Sequence, residues 1–189
     1  MLNRIARKFY YALWKRIYSN EVVVVYEMKN KVVVDRSPIT IKEVDEHNVT
    51  EAESFQSKRQ IRIFQKFLKN GDKGFYAFLD GKCVHRSWVV IAPNLIRFHP
   101  MYSEPLNPNE IFIHFSETAP WARGKNIFTV VLSYVVGQFS GNRVLISTDE
   151  ANHSSARSIK KSGFVEIRKI YIKVLLGVRT IKSEIINNG

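Results

Sequence analysis

The segment that most constrains this chain is the apolar run at residues 127–139. Val130, Val131, Leu132, Tyr134, Val135 and Val136 place apolar side chains on nearly every face of a helix. Such a helix must be buried, and a sheet is the expected cover. Just before it, residues 110–117 alternate like a strand. The corner between them reads Thr118-Ala-Pro-Trp-Ala-Arg-Gly-Lys-Asn126. A strand–turn–helix corner of this kind gathers backbone N–H groups, the positive end of a helix dipole and the cations Arg123 and Lys125. Together these suit an anion, phosphate above all. One glycine before a cation at a turn is a common arrangement, so the corner alone decides nothing.

The whole chain of 189 residues fits one domain with a single sizeable core, and its net charge is +12. That excess of cations implies a negatively charged partner, such as nucleotide phosphate, an anionic membrane or nucleic acid, or else simply a basic surface. One cysteine, Cys83, excludes an internal disulfide and fits a reducing compartment. No spacing of His and Cys suggests a metal site. Charges interrupt the apolar residues near the N-terminus, so no secretory signal is read there, and no apolar run approaches the ~20 residues of a membrane span.

Residues 2–18 predict an amphipathic helix, with Leu2, Ile5, Ala6, Phe9, Leu13 and Ile17 on one stripe. Arg4, Arg7, Lys8, Lys15 and Arg16 charge it, and Tyr10, Tyr11, Trp14 and Tyr18 flank the stripe. Two placements fit: packed on the domain, or lying on an anionic membrane. Residues 1–20 are therefore set apart from a single domain at 21–189. Strands are expected at 21–28 and 31–35, with a reversal at Asn30. Residues 41–48 are read as partly helical and 55–68 as a helix stopped by Asn70-Gly71. An Asp80-Gly81 hairpin joins strands 74–79 and 82–91. A short strand at 95–98 precedes a loop at 99–108. Strand 143–148, a short helix ending at Ser162-Gly163, strand 164–176 and a last strand in 177–186 complete an α+β layout around one central sheet.

Two motifs lie about thirty residues apart. The first is Thr118-x-Pro120-x-x-Arg123-Gly-Lys-Asn-Ile127, and the second is Asn152-x-x-Ser155-Ala-x-x-Ile-x-Lys161-x-Gly163-Phe164. In order and spacing, with the hairpin upstream, they resemble the cofactor core of GNAT-type N-acetyltransferases. The resemblance runs from about residue 74 to 176. It implies a mixed, mostly antiparallel sheet with one splayed strand pair. It also implies acetyl-CoA as acyl donor, with the pyrophosphate on the amides of Arg123, Gly124, Lys125, Asn126, Ile127 and Phe128. Phe115, Ser116 and Thr118 would pair with the pantetheine arm, and Asn152 and Ser155 would meet its far end. Trp121 stands where the family pattern has Gln or Arg, and Asn126 where it has Gly or Ala. The helical tyrosine that protonates the thiolate in many members is Ile159 here, which leaves that step to Tyr171 or water.

Transfer to an amine also needs a base. Glu110 opens the key strand and is one candidate; the other is His114. Alternation places both on one face together with Ser116, and Glu117 on the other. His85 and His99 are candidates for lining an acceptor pocket. The expected acceptor is a small-molecule amine, such as an amino sugar or a cell-surface glycoconjugate precursor. The rival expectation is a catalytically idle acyl-CoA-binding or membrane-associated scaffold of the same fold. No nucleic-acid motif is present, so no nucleic-acid partner is expected. The expected location is cytoplasmic, at the membrane periphery if the N-terminal helix lies on lipid.

Overall fold

The computed structural model describes residues 14–32, 34–36 and 38–186. Most of the predicted N-terminal helix lies outside the described residues. Its expected last residue, Tyr18, instead begins the first strand, after a turn closed by Ile17 N donating to Trp14 O.

The strands are β1 (Tyr18–Met28), β2 (Thr40–Val44), β3 (Lys73–Leu79), β4 (Lys82–Ile91), β5 (Leu95–His99), β6 (Tyr102–Pro105), β7 (Glu110–Thr118), β8 (Arg143–Asp149), β9 (Phe164–Leu175) and β10 (Val178–Ile185). The helices are α1 (Lys58–Lys69), α2 (Ile127–Gln138) and α3 (His153–Lys161). Eight strands form one sheet in the order β10-β9-β1-β8-β7-β4-β3-β2, and β5 and β6 form a separate ribbon. Every pairing in the large sheet is antiparallel except β7 with β8. That is the mixed α+β sheet the sequence predicts.

Alternation along the strands divides the core between the two faces. Val24, Tyr26, Phe75, Val89, Ile111, Ile113, Val144 and Ile146 pack against α2 and the inner residues of α3. On the other face Tyr76, Phe78, Cys83 and Trp88 pack against Ile61 and Phe64 of α1. Phe112 and Leu145 lie on that face too, under Ile96 and Leu106 beside the β5–β6 ribbon. The apolar character of α2 all round is explained by its position. Ile127, Val130, Val131, Leu132, Val135 and Val136 are all buried, each contributing about 1.5–3 kcal/mol if fully removed from water.

Three expectations are overturned. The described residues between 31 and 36 carry no strand. Of residues 41–48, expected to be partly helical, 41–44 lie in edge strand β2, in which only Val44 is buried. An edge strand with one covered face tolerates Lys42 and Glu43, and their polarity disguised it. Within the expected loop at 99–108, β6 pairs with β5 from Leu95↔Pro105 to His99↔Tyr102. Pro105 is tolerated because it ends a two-stranded ribbon.

The second-motif glycine has a structural reason. Gly163 sits at φ 91°, and a Cβ there would stand 1.7 Å from the carbonyl oxygen of Asn30. Its own carbonyl accepts from Lys29 N and Asn30 N, which ties the end of α3 to the end of β1. Gly163→Ala is therefore expected to destabilise by roughly 3 kcal/mol or more. By contrast, a Cβ at Gly137 in α2 meets nothing within 4 Å, so Gly137→Ala should stabilise by about 0.8–1 kcal/mol. Denaturant unfolding of both variants checks the pair.

Candidate functional site

β7 and β8 run together only from Glu110↔Arg143 to Ile113↔Ile146. Beyond that point β7 follows β4 as far as Thr118, and β8 follows β1 as far as Asp149. The two strands splay, and residues 114–118 face a gap instead of a neighbour. Within this stretch the β4 pairing jumps from Arg86↔Glu117 to Trp88↔His114, so one residue on β4 opposes two on β7. This is a β-bulge, with Phe115 in the left-handed region at φ 51°.

The bulge breaks the alternation assumed from sequence. His114 and Phe115 both lie on the α1 face, where the Phe67 ring is 5.0 Å from His114 and 5.3 Å from Phe115. Ser116 and Thr118 then turn to the α2 face, and Glu117 to the α1 face, the reverse of the expected assignment. Arg86 holds the bend. Its guanidinium donates to the Phe115 carbonyl, pairs with Glu117 Oε2 at 2.7 Å and lies 4.4 Å from the Phe115 ring centroid. Burial lowers the Arg86 pKa, and the Glu117 carboxylate opposes that shift.

On the α2 face a cleft of about 710 Å³ runs between the splayed strand, the Arg123–Asn126 corner and α3. Ser116, Thr118, Arg123, Gly124, Asn126, Ile127, Phe128, Asn152 and Ser155 line it. Phe115 faces the opposite side, and Lys125 is exposed and outside the lining. At the corner Gly124 has φ 81° and Asn126 is left-handed at φ 60°. Asn accepts that conformation more readily than other side chains, so it stands in for the family's small residue. The first α2 amide recorded with a backbone acceptor is that of Val130, which donates to Asn126 O. The amides before it border the cleft without intrahelical acceptors. Lys161 Nζ reaches Asn126 Oδ1 at 3.2 Å, so a cation of the second motif sits on the turn of the first. Asn152 caps α3, its Oδ1 accepting from Ser155 N at 3.2 Å.

A buried polar chain backs the cleft. His85 Nδ1 lies 2.7 Å from Thr118 Oγ1, and Nε2 lies 2.8 Å from Ser87 Oγ, which is 2.8 Å from Ser116 Oγ. Burial pushes the His85 pKa down to about 3, with Arg86 adding to the shift, so the ring is neutral at ordinary pH. His85 thus stands on the cleft side, while His99 lines the cavity on the opposite face. Ile159 is buried in the core. Tyr171 lies on the outer strands, hydrogen-bonded to Glu184 at 2.9 Å, and it is not among the cleft lining.

The opposite face holds a larger cavity of about 1140 Å³, lined in part by Phe67, Asp72, His99, His114 and Phe115. His114 Nε2 is 3.3 Å from Asp72 Oδ2, an ion-pair distance without the alignment of a hydrogen bond. The Phe115 bulge separates this cavity from the cleft. Glu110 belongs to neither. Its carboxylate accepts from Asn107 N at 2.9 Å and pairs with Arg143 at 2.6 Å. Burial pushes its pKa up, but the Asn107 and Arg143 hydrogen bonds outweigh that and hold it below the usual value. Four strand residues put it roughly 13 Å from His114. Asp72, Arg86 and Ser87 were missed from sequence. The available signal was Arg86 itself, a charge in the middle of a strand otherwise read as buried.

No family model matches the sequence, and no curated protein does. Solved structures do match it. An acetyltransferase of the GNAT family from Colwellia psychrerythraea superposes with a TM-score of 0.58 at 15% identity, over 85% of this chain and 59% of that one. A structure of AAC(6')-Iy in complex with the bisubstrate analogue CoA-S-monomethyl-acetylneamine gives 0.52 at 15% identity, over 69% of this chain and 92% of that one. A GCN5-related glucosamine N-acetyltransferase region of a fungal multi-domain GH3 β-N-acetylglucosaminidase gives 0.57 at 11% identity, over 89% of this chain. The chain spans 59% of the length of the Colwellia protein and 23% of the fungal enzyme. At these identities the likeness is one of fold: the chain carries the GNAT-type acyltransferase fold.

Proposed function

We propose that the protein is an acetyl-CoA-dependent N-acetyltransferase acting by direct transfer in a ternary complex. The observation that carries this is the splay of β7 from β8 at the bulge, between two cavities of different chemistry. The free edge of residues 114–118 can pair with the amides of a pantetheine arm, as a strand would. The α2 amides, Arg123, Arg157 and Lys161 suit the pyrophosphate and phosphate at the outer end of that arm. The thioester then arrives at the bulge, with the acceptor cavity beyond it.

The chemistry assigns roles to residues on each side. His114, oriented by Asp72, takes the proton from the attacking amine. A β7 amide near Ser116 donates to the oxyanion. As the C–S bond breaks, the hydroxyls of Ser116 or Thr118, backed by neutral His85 and Ser87, donate hydrogen bonds to the departing thiolate, which takes its proton from water. No tyrosine among the described residues lines the cleft, so hydroxyl hydrogen bonds and water take the place of the phenol of the family pattern. Glu110 is assigned to structure. The acceptor is a small amine, with amino sugars the first class to test, and the glucosamine-acetylating region among the fold neighbours adds weak support.

Isothermal titration with acetyl-CoA is expected to give a Kd below the millimolar range. Lys161→Ala should weaken binding by about ten- to a hundredfold, the loss of one charge-assisted hydrogen bond. No heat at millimolar acetyl-CoA sinks the proposal. Binding without thiol release over a panel of amino sugars and other amines would leave the idle binding-protein reading in its place.

Given an acceptor, His114→Gln should lower kcat by about 10²–10⁴-fold and leave acetyl-CoA affinity nearly unchanged. Glu110→Gln should lower the unfolding midpoint and leave kcat per folded molecule intact, because it removes one partner of the Arg143 pair. The opposite pattern, an inactive but stable Glu110→Gln and an active His114→Gln, would transfer the base to Glu110.

A further inference from the structure

The β9–β10 hairpin ends in a turn of unexpected composition. Leu176 has φ 49° and Gly177 φ 81°. The β3–β4 hairpin has almost the same turn, Asp80 at φ 51° and Gly81 at φ 75°. Asp-Gly is what such a turn favours. The second turn instead places a leucine in the left-handed position, and that leucine is 82% exposed. Neither local conformation nor burial explains it, and a residue that breaks both rules points to a role outside the fold.

The residues around it extend the feature. Tyr18 pairs with Leu175, and Leu175 with Val178, so the three form one cross-strand row on one face of β1, β9 and β10. Tyr18 is 49%, Leu175 54% and Val178 71% exposed. Gly177 N donates to Ile17 O, which sets the tip against the exposed Ile17. The next row on the same face is Asn20–Lys173–Thr180, and the one after it is Val22–Tyr171–Lys182. Lys173 and Lys182 are exposed, and among the described residues neither has an ion-pair partner. These three rows hold no carboxylate.

We propose that this corner is a membrane-docking surface that takes an anionic lipid leaflet. Rows two residues apart are spaced about 7 Å. With Leu175, Leu176 and Val178 among the acyl chains, Lys173 then stands at headgroup height, inside the about 5–10 Å over which interfacial protein surfaces sit. The tyrosine and the lysines are the residue types that occupy that zone. A second copy of the chain fits the surface poorly. A two-fold contact would gather the lysines of both copies at one interface, and the nearest carboxylate on this face, Glu184 of the following row, is already bonded to Tyr171. The surface is built from described residues and does not depend on the predicted N-terminal helix or on catalysis.

The test is sedimentation of the full chain with sucrose-loaded phosphatidylcholine vesicles, with and without phosphatidylserine. Wild type should sediment with phosphatidylserine vesicles only, and less as salt is raised. Leu176→Asn suits the left-handed turn, so its unfolding midpoint should hold or rise. Combined with Val178→Thr it should weaken vesicle binding by at least about tenfold. Lys173→Glu should weaken binding without touching the apolar tip. Acetyl-CoA titration of the same variants should be unchanged. No sedimentation of wild type, or sedimentation of the folded double variant equal to wild type, overturns the proposal. So does a concentration-dependent dimer that Leu176→Asn dissolves, which would give the face to a second copy.

Discussion

The guanidinium of Arg86 holds the bend in β7 on which both cavities depend. A bulky residue in the left-handed region costs about 1–2 kcal/mol, and Phe115 is held there. Arg86 offsets this with a bond to the Phe115 carbonyl, a 2.7 Å bond to Glu117 and a face-on approach to the Phe115 ring. Hydrogen bonds to charged groups are worth about 1.5–3 kcal/mol each, enough to exceed the backbone cost even though the buried Nε has no partner of its own. The Phe64 ring, 5.1 Å from the guanidinium carbon, adds α1 to the same clamp. A neutral side chain at position 86 would leave an unmet carbonyl at the bulge and nothing to oppose relaxation of β7 into a regular strand.

What that bend does is change which face each side chain serves. In a regular strand His114 and Ser116 would share a cavity. With one residue added, the imidazole and the Asp72 carboxylate face one cavity, while Ser116 and Thr118 face the other beside neutral His85. The imidazole and the hydroxyls are thereby separated across a single strand. Because both nitrogens of His85 meet hydroxyls, burial of the neutral ring leaves no unmet donor or acceptor. Protonation would put a charge in a site shut off from water and beside the Arg86 guanidinium, which is why the charged form is disfavoured so strongly.

How much of this was legible in the sequence follows from how local each determinant is. The wholly apolar α2, the Asp80-Gly81 turn and the Ser162-Gly163 stop depend on neighbours within a few residues, and all stand where their residues implied. The left-handed Asn126 could be expected because asparagine tolerates that conformation. The bulge was implied only by the family resemblance, with its splayed strand pair, and not by the local residues. Nothing in Ile113-His-Phe-Ser-Glu117 announces an extra residue, because the cause is an arginine 29 positions earlier on the neighbouring strand. For the same reason Glu110 was grouped with His114 by alternation alone. Its Arg143 partner belongs to the strand that departs from β7, and only the pairing shows the carboxylate held between Arg143 and the Asn107 amide. β2 and β6 were hidden differently, as short edge or ribbon strands whose polar residues are tolerated because one side is solvent.

The net charge of +12 acquires a structural reading once the faces are separated. Arg123, Arg157 and Lys161 surround the cleft, where a diphosphate would sit against helix amides and where neighbouring cations reinforce one another's attraction for it. Lys173 and Lys182 belong to strands at the far side of the sheet, beyond β1 and β8, and cannot contribute to that field over more than a Debye length of about 8–10 Å. Two separate groups of cations can therefore be told apart within that balance, and the second stands beside exposed aliphatic side chains. A chain needing solubility alone would scatter its cations and keep leucine out of a left-handed turn. The coincidence of unpaired lysines, a cross-strand apolar row and a misplaced leucine at one corner is what distinguishes a surface shaped for a partner from one that is merely basic.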